Sequence, residues 1–251
     1  MMAADLGCGV NKTRDTVGID RFPLEGVDVV VDLNKFPYPF ADNSFDVFYL
    51  NDIIEHLPDT IGVMEELYRL CKPNAHIYIR VINWNSKLNA EDPTHVKAFT
   101  EHTFDFFGKY ALRSYYSKAR FEVVSCEYQF NAKVEKYIKN RRLMKFLGTY
   151  LNNVLEGLNF DLRCVKNTTS PSEHEPRQDR DIFSLIRCPH CIGDKETKDN
   201  SSLTIYNTDW LLCSNPHCKR KYPIVNGTPL LTLKDGNKRI SVQPESLATI
   251  T

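Results

Sequence analysis

Runs of apolar side chains alternate along the first 130 residues between strand-like and helix-like patterns. Five β-branched and aromatic runs bounded by turn residues predict strands: VGID at 17–20, VDVVVDL at 27–33, FDVFYLN at 45–51, HIYIRVINW at 76–84 and ARFEVVSCEYQF at 119–130. Several are apolar almost throughout, as strands covered on both faces are. The alternation predicts an α/β fold with a mainly parallel sheet and helices on its faces.

Two apolar stripes at helical spacing predict helices. The first stripe consists of Ile61, Met64, Leu67 and Cys71. Pro73 is expected to end this helix. The second stripe consists of Leu143, Leu147, Leu151, Val154 and Leu158. It predicts a long helix over 136–157, and NFDLRCVK at 159–166 then predicts a final strand.

Changes in composition predict the domain boundaries. Residues 1–166 form the first predicted domain, and the polar, proline-containing run NTTSPSEHEPRQDRD at 167–181 predicts a linker. A small cysteine-rich α+β module is expected at 182–234, and a loosely ordered tail at 235–251.

A nucleoside-type cofactor site is indicated at the end of the first predicted strand. DLGCG places Asp5, Gly7 and Gly9 there, and glycine lets a ligand approach the backbone closely. Only VNKTRDT separates Gly9 from the second strand, which is too short and too polar for an ordinary packed helix. We expect the predicted helix at 136–157 or the cysteine-rich module to cover this shortened loop.

The next strands end in residues that suit a nucleoside. Asp20 ends the second strand, where its carboxylate is suited to accept hydrogen bonds from two ribose hydroxyls. Asp32 ends the third strand beside Leu33, where an adenine amino group would find an acceptor and an apolar neighbour. LNDIIEHL at 50–57 crosses from the central strand into the mouth of the cleft.

These motifs together resemble the class I S-adenosylmethionine-dependent methyltransferases, of the compact type. The resemblance rests on DLGCG, GID, VVVDL, PFADNSFD, SFDVFYLNDIIEHLPD, EELYRLCKPNAHIYIRV and EDPTHVKAFT. It implies a Rossmann-like sheet with helices on both faces, and S-adenosylmethionine as cofactor. It also implies that the glycine-rich turn meets the methionine part of the cofactor, Asp20 the ribose and Asp32 the adenine. Asn51 and Asp52 are expected to line the cavity.

Methyl transfer from a sulfonium requires alignment of donor and acceptor, and a base only if the acceptor must lose a proton. The candidate catalytic residues are Asn51, Asp52, Glu55, His56 and His95. Alternatively, His56 is simply a polar residue at the start of a helix, and His95 is simply a histidine in a loop. The NPPY-like motif of exocyclic amino-group methylation is missing at 51–54, where NDII stands.

Four of the eight cysteines are clustered, in CPHC and CSNPHC. Without a secretion signal, this clustering favours a metal over disulfides, and two thiolate pairs suit a tetrahedral structural zinc site. The expected ligands are Cys188, Cys191, Cys213 and Cys218. His190 and His217 are the alternative ligands.

Residues 186–233 resemble the small zinc-binding activator subunit of methyltransferases that act on tRNA, ribosomal RNA and release factor. CP.C, the later cysteine pair and the ending YPI.NG.PLL carry this resemblance. It implies a module that stabilises the catalytic domain by adding a strand and covering apolar surface.

Charge is unevenly distributed although the net charge is zero. Residues 1–66 carry a net −9 and residues 67–168 a net +8. The second segment includes a basic cluster, formed by Lys133, Lys136, Lys139, Arg141, Arg142 and Lys145. This cluster would suit contact with a nucleic acid, or it is an ordinary solvated face.

The methyl acceptor is therefore expected to be an RNA, such as a modified tRNA base. The alternatives are a small molecule or glycan as acceptor, or a non-catalytic methyltransferase-fold scaffold. No run of 18 to 20 apolar residues and no signal-peptide pattern occurs. A cytoplasmic protein without membrane contact is expected.

Overall fold

The structure is a computed structural model, in which the described residues are 1–108, 114–166, 185–193, 201–207, 209–225 and 228–231. The chain divides into two compact units. One consists of Phe45–Asn167 with Met1, and the other of Met2–Ser44 with Thr168–Thr251. The predicted linker at 167–181 and tail at 235–251 lie outside the described residues. The predicted domain boundaries stay predictions.

Three parallel strands open the unit that contains the N-terminal segment. They are β1 (Ala3–Leu6), β2 (Val17–Asp20) and β3 (Val29–Val30), in the order β3-β2-β1. β2 has the predicted bounds, whereas β3 is much shorter than the apolar run at 27–33. The chain turns after β3 because the side chain of Asp32 accepts a hydrogen bond from the backbone N–H of Asn34.

The other unit contains a mixed sheet of four strands. They are β4 (Phe45–Asn51), β5 (Cys71–Ile82), β6 (Phe121–Phe130) and β7 (Leu155–Cys164). β4 pairs with β5 in parallel, and β7 lies antiparallel between β5 and β6. β4 has the predicted bounds. Each unit thus contains paired parallel strands, as the prediction of an α/β fold requires.

Helix α1 (Thr60–Leu70) follows β4 and buries the predicted apolar face. The Asp59 side chain caps it by accepting a hydrogen bond from the backbone N–H of Gly62. Met64 and Leu67 are buried, as the stripe predicts. The helix ends at Leu70 and not at Pro73, because β5 already begins at Cys71.

The prediction of one long helix over 136–157 is wrong. Two helices occupy the region, α3 (Ala132–Tyr137) and α4 (Arg141–Tyr150), and β7 begins within the predicted range. Asn140 starts α4 as its N-cap, since its side chain accepts hydrogen bonds from the backbone N–H groups of Arg142 and Leu143. The later residues of the leucine repeat lie outside α4: Leu151 and Val154 precede β7, and Leu158 is buried within it.

The buried face of α4 also differs from the predicted stripe. Met144 and Gly148 are buried, whereas Leu143 is 45% exposed and Leu151 51% exposed. Gly148 permits a close approach to β7, because a Cβ atom there would lie 2.5 Å from Leu155 Cγ. The helix therefore packs through its smallest residue, and several of its large apolar side chains face outward.

Short elements complete this unit. They are helix α2 (Leu88–Glu91) and single 3₁₀ turns at Ile54–His56, Thr103–Phe107 and Ser114–Tyr116. Among the described residues, no helix has the length and apolar character needed to cross a bilayer.

The cysteine-rich module is a small antiparallel sheet with one short helix. Its elements are α5 (Pro189–Ile192), β8 (Leu203–Asn207), β9 (Trp210–Cys213), β10 (Lys221–Val225) and β11 (Thr228–Pro229). The strand order is β11-β10-β9-β8.

The module contacts the N-terminal strands within the same unit. Leu230, directly after β11, forms a parallel bridge with Val30 of β3. It also packs against a buried cluster of Cys8, Val27 and Val30. Cys8, which lies between the two glycines of the predicted cofactor loop, belongs to this cluster.

Candidate functional site

The predicted cofactor loop follows β1 and is fixed by hydrogen bonds to β2. Gly7 and Gly9 have φ angles of +67° and +51°, a conformation that favours glycine. The backbone N–H of Gly7 donates to the Ile19 carbonyl at 2.7 Å, and that of Gly9 donates to Asp20 Oδ2 at 3.0 Å. The structure thus brings the loop and the predicted ribose-binding acid together.

Asp5 lies inside β1 and is almost completely buried. Its Oδ2 accepts a hydrogen bond from the backbone N–H of Thr13 at 2.7 Å. Its Oδ1 has no hydrogen-bond partner among the described residues. A buried carboxylate oxygen without a donor is costly, which makes this atom a candidate acceptor for a ligand's ammonium group.

Asp20 ends β2, as predicted, whereas Asp32 lies two residues after β3 ends at Val30. The Asp20 carbonyl accepts a hydrogen bond from the N–H of Val31, directly before Asp32. Burial alone would raise the pKa of Asp32, but hydrogen bonds from Lys35 and Asn34 lower it below its usual value. Asp32 is therefore a charged acceptor at neutral pH.

Leu33 is buried beside this turn, and its carbonyl accepts a hydrogen bond from the Tyr38 hydroxyl at 2.9 Å. The predicted place of Leu33 next to an adenine ring stays a prediction.

Gly18, the first residue of the GID motif, has a packing role in this loop region that the motif alone does not reveal. Its N–H donates to Asp28 Oδ2 at 2.7 Å, and the same oxygen is 2.9 Å from Lys12 Nζ. A Cβ atom on Gly18 would lie 2.5 Å from the Gly26 carbonyl oxygen and 3.0 Å from Cys8 Sγ. The loop is thus closely packed around a position that requires glycine.

We predict that Gly18→Ala destabilises the protein by about 1–3 kcal/mol, because the added methyl group meets a backbone oxygen that cannot easily move. The midpoint of urea unfolding measures the change. Gly193→Ala is the matched control, since the nearest atom to its Cβ position, Pro37 Cδ, is 3.5 Å away. Equal midpoints for the two variants would contradict the close packing at Gly18.

Asn51 and Asp52 end β4 in the other unit. Asn51 is exposed, and Asp52 has a φ of +51°. Arg80 on β5 is the cross-strand neighbour of Asn51, and its guanidinium contacts both carboxylate oxygens of Asp52. Asp52 is therefore held in an ion pair, and its Arg80 partner could be found only from the register of β4 and β5.

Glu55, His56 and His95 meet in the same unit. Glu55 and His56 lie in the 3₁₀ turn after β4, and His95 comes from the loop after α2. The two imidazole rings have centroids 4.7 Å apart. Burial raises the pKa of Glu55 above its usual range. His56 and His95 are both predicted as catalytic candidates. The structure brings them together, although they are far apart in the chain.

The four clustered cysteines converge at one point, and all are buried. The Sγ atoms of Cys188 and Cys218 are 3.8 Å apart, and so are those of Cys191 and Cys213. A tetrahedral site with metal–sulfur bonds of about 2.3 Å has sulfur–sulfur edges of about 3.8 Å, whereas a disulfide requires about 2.0 Å. The arrangement therefore fits a four-thiolate metal site.

Polar neighbours support the sulfurs. Tyr222 Oη lies 3.1 Å from Cys188 Sγ, and the Asn215 side-chain amide donates to Cys191 Sγ at 3.7 Å. A hydrogen bond with Cys213 and further ones from the surroundings lower the pKa of Cys188, which favours its thiolate. His190 and His217 are exposed and lie outside the sulfur cluster.

Comparisons with known proteins agree with the fold. Residues 11–79 match the family model described as a methyltransferase domain. The chain is 33% identical over 75 residues to cycloartenol-C-24-methyltransferase 1 of Oryza sativa subsp. japonica, which covers 29% of this chain and 22% of that enzyme. It is also 24% identical over 130 residues to demethylmenaquinone methyltransferase of Listeria welshimeri. This match covers 46% of this chain and 52% of that enzyme.

The chain thus spans about half, or less, of the length of these curated relatives. Among solved structures, a SAM-dependent methyltransferase from Archaeoglobus fulgidus superposes with a TM-score of 0.45 and 17% identity, over 64% of this chain and 85% of that one. The family match begins just after the glycine-rich loop and contains Asp20 and Asp32. Residues 11–79 therefore carry the sequence pattern of a methyltransferase domain.

Proposed function

We propose that this protein is an S-adenosylmethionine-dependent methyltransferase. The observation that carries the proposal is the methyltransferase-domain match at residues 11–79, which includes Asp20 at the end of β2 and Asp32 shortly after the adjacent β3. The relatives named above are methyltransferases, which supports this activity over a non-catalytic scaffold.

The residues of the N-terminal unit fit this cofactor. Asp5 offers a buried oxygen that lacks a donor among the described residues, Asp20 offers a carboxylate at the end of β2, and Asp32 offers one shortly after β3. Among the residues that the structure describes, none places a heavy atom within 4 Å of a Cβ position at Gly9 apart from its chain neighbours, which leaves room for a ligand beside the loop. When bound, the cofactor supplies a methyl group on a sulfonium. The protein's part is to hold and align the reactants.

Methyl transfer from labelled S-adenosylmethionine into fractionated cell extract tests this function. We expect label in one acceptor class with wild-type protein, and little with Asp20→Ala. Equal labelling by the two proteins, or none by wild type, would contradict the proposal.

We further propose that the four cysteines bind a structural zinc ion. Four sulfur ligands leave no open coordination position for a substrate, so the ion would stabilise the module and take no part in the chemistry. The sulfur–sulfur distances of 3.8 Å support this proposal.

RNA is the first candidate acceptor, and the basic surface of α3 and α4 supports it. Its six cations are all exposed: Lys133, Lys136, Lys139, Arg141, Arg142 and Lys145. Tyr137, Phe146 and Tyr150 on the same two helices are also exposed. Cations beside exposed aromatic rings suit single-stranded RNA, because the cations meet phosphates and the rings stack on bases.

We predict that Lys139→Ala with Arg142→Ala flattens the salt dependence of RNA binding. Each phosphate contact that is lost lowers the slope of log K against log salt by about 1. Filter binding to unmodified tRNA between low and moderate salt measures the slope. Lys87→Ala with Lys118→Ala is the charge-matched control, since both lysines are exposed elsewhere in the same unit. A flat salt response in wild type would refute RNA contact.

A small apolar acceptor is the second candidate. It is favoured by the names of the two curated relatives, which refer to demethylmenaquinone and cycloartenol. In the labelling experiment, this candidate predicts label in the organic-soluble fraction, whereas the first predicts label in RNA.

A further inference from the structure

Glu55 is a buried carboxyl group without a partner. Its side chain is 0% exposed, and neither Oε1 nor Oε2 has a hydrogen-bond partner among the described residues. A carboxyl group in this position is unfavourable unless a donor or a cation satisfies it. Two unsatisfied oxygens on one side chain indicate that the folded chain alone does not complete this site.

His56 and His95 stand next to this carboxyl group. One ligand atom from each of Glu55, His56 and His95 lies within 4.8 Å of the other two. His95 is deeply placed, with a side chain only 7% exposed. Three groups that ligate metals thus converge, with Glu55 buried and His56 half-buried.

Hydrogen bonds select the tautomer of each histidine. Thr94 Oγ1 donates to Asp92 Oδ1 at 2.6 Å, so it accepts from His56 Nδ1–H at 2.9 Å. His95 Nδ1 lies 3.3 Å from the Asn89 carbonyl oxygen, which can only accept. Both rings therefore keep the lone pair of Nε2 for a ligand, as metal-binding histidines oriented by outer hydrogen bonds do.

The backbone holds these residues together. The Glu55 carbonyl accepts hydrogen bonds from the N–H groups of Val96 at 2.9 Å and Lys97 at 3.2 Å. The loop that carries His95 is thereby tied to the turn that carries Glu55 and His56. The three side chains are positioned before any ligand arrives, which lowers the entropic cost of binding.

We propose that Glu55, His56 and His95 bind a divalent first-row transition metal ion. Two imidazoles and one carboxylate are the donor set of such ions, and three protein ligands leave coordination positions for water or for an oxygen of a substrate. This site differs from the four-cysteine centre in its ligands and in these open positions. This proposal can be tested separately from the proposed methyl transfer, because metal binding is measured without cofactor or acceptor.

The test is a titration of the full, zinc-loaded chain with Co²⁺, followed by visible absorption and calorimetry. We expect one Co²⁺ to bind per chain without the intense thiolate-to-cobalt charge-transfer band that exchange at the cysteines would give. Glu55→Gln and His95→Ala should abolish this binding. Thr94→Val, which removes the partner of His56, should weaken it by about 10- to 100-fold.

Two controls distinguish a lost site from a lost fold. His102→Ala removes an exposed histidine that also pairs with an aspartate, Asp105, and should bind Co²⁺ as wild type does. Glu55→Gln keeps the shape of the side chain. Without metal, its midpoint of thermal unfolding should therefore equal or exceed that of wild type. Addition of Co²⁺ should raise the midpoint of wild type only. Absence of this Co²⁺ site in wild type, or equal binding by Glu55→Gln and His95→Ala, would overturn the proposal.

Discussion

Cys188→Ser is expected to release one zinc ion and to unfold the cysteine-rich module. The module is a four-stranded sheet with one short helix, so its apolar core is small, and the four buried sulfurs lie at its centre. Structural zinc sites contribute about 10–16 kcal/mol of apparent binding free energy, which exceeds the stability of most domains. Three remaining thiolates would leave the site incomplete and its buried charge unbalanced.

Native mass spectrometry measures the loss of the ion, and limited proteolysis measures the loss of structure. Cys126→Ser is the matched control, because Cys126 lies on β6, outside the four-sulfur cluster. It should keep the ion and the wild-type cleavage pattern. A wild-type protein that is folded without metal would show that the sulfur cluster is not a zinc site.

A second large effect is expected at Asp20. We predict that Asp20→Ala weakens the binding of S-adenosylmethionine by at least about 100-fold. The carboxylate would accept hydrogen bonds from two ribose hydroxyls, and hydrogen bonds to a charged group contribute about 1.5–3 kcal/mol each. Its loss would also free the N–H of Gly9, which Asp20 now holds at 3.0 Å. Both effects weaken the same site.

Equilibrium dialysis with labelled cofactor measures this change. Asp15→Ala is a suitable control, because Asp15 is an exposed acid in the same short segment between β1 and β2. It should bind the cofactor about as tightly as wild type. Equal weakening by both variants would mean that the segment as a whole, and not the Asp20 carboxylate, determines affinity.

Much of the sheet could be predicted because its strands are short and bounded by clear turn residues. β2 and β4 have the bounds that their apolar runs predict. The helix at 136–157 could not be predicted correctly, because leucines spaced by three or four residues occur both in α4 and in the strand that follows. Asn140 separates the elements, but an asparagine cap is indistinguishable in sequence from an asparagine within a polar face.

The sites differ in how far sequence reveals them. The cysteine cluster could be predicted because its ligands come in two short, tightly spaced motifs. His95 is separated from His56 by 38 residues, so only the fold shows that they share a site with Glu55. Gly18 belongs to the GID motif, but its packing role follows only from the Gly26 carbonyl that approaches it in space.

Isothermal titration of the wild-type chain with S-adenosylmethionine tests most directly whether this protein is a methyltransferase. We predict saturable binding of one cofactor per chain, with binding strongly weakened by Asp20→Ala. No detectable binding by wild type, or binding that Asp20→Ala leaves unchanged, would contradict the proposed cofactor site and the function built on it.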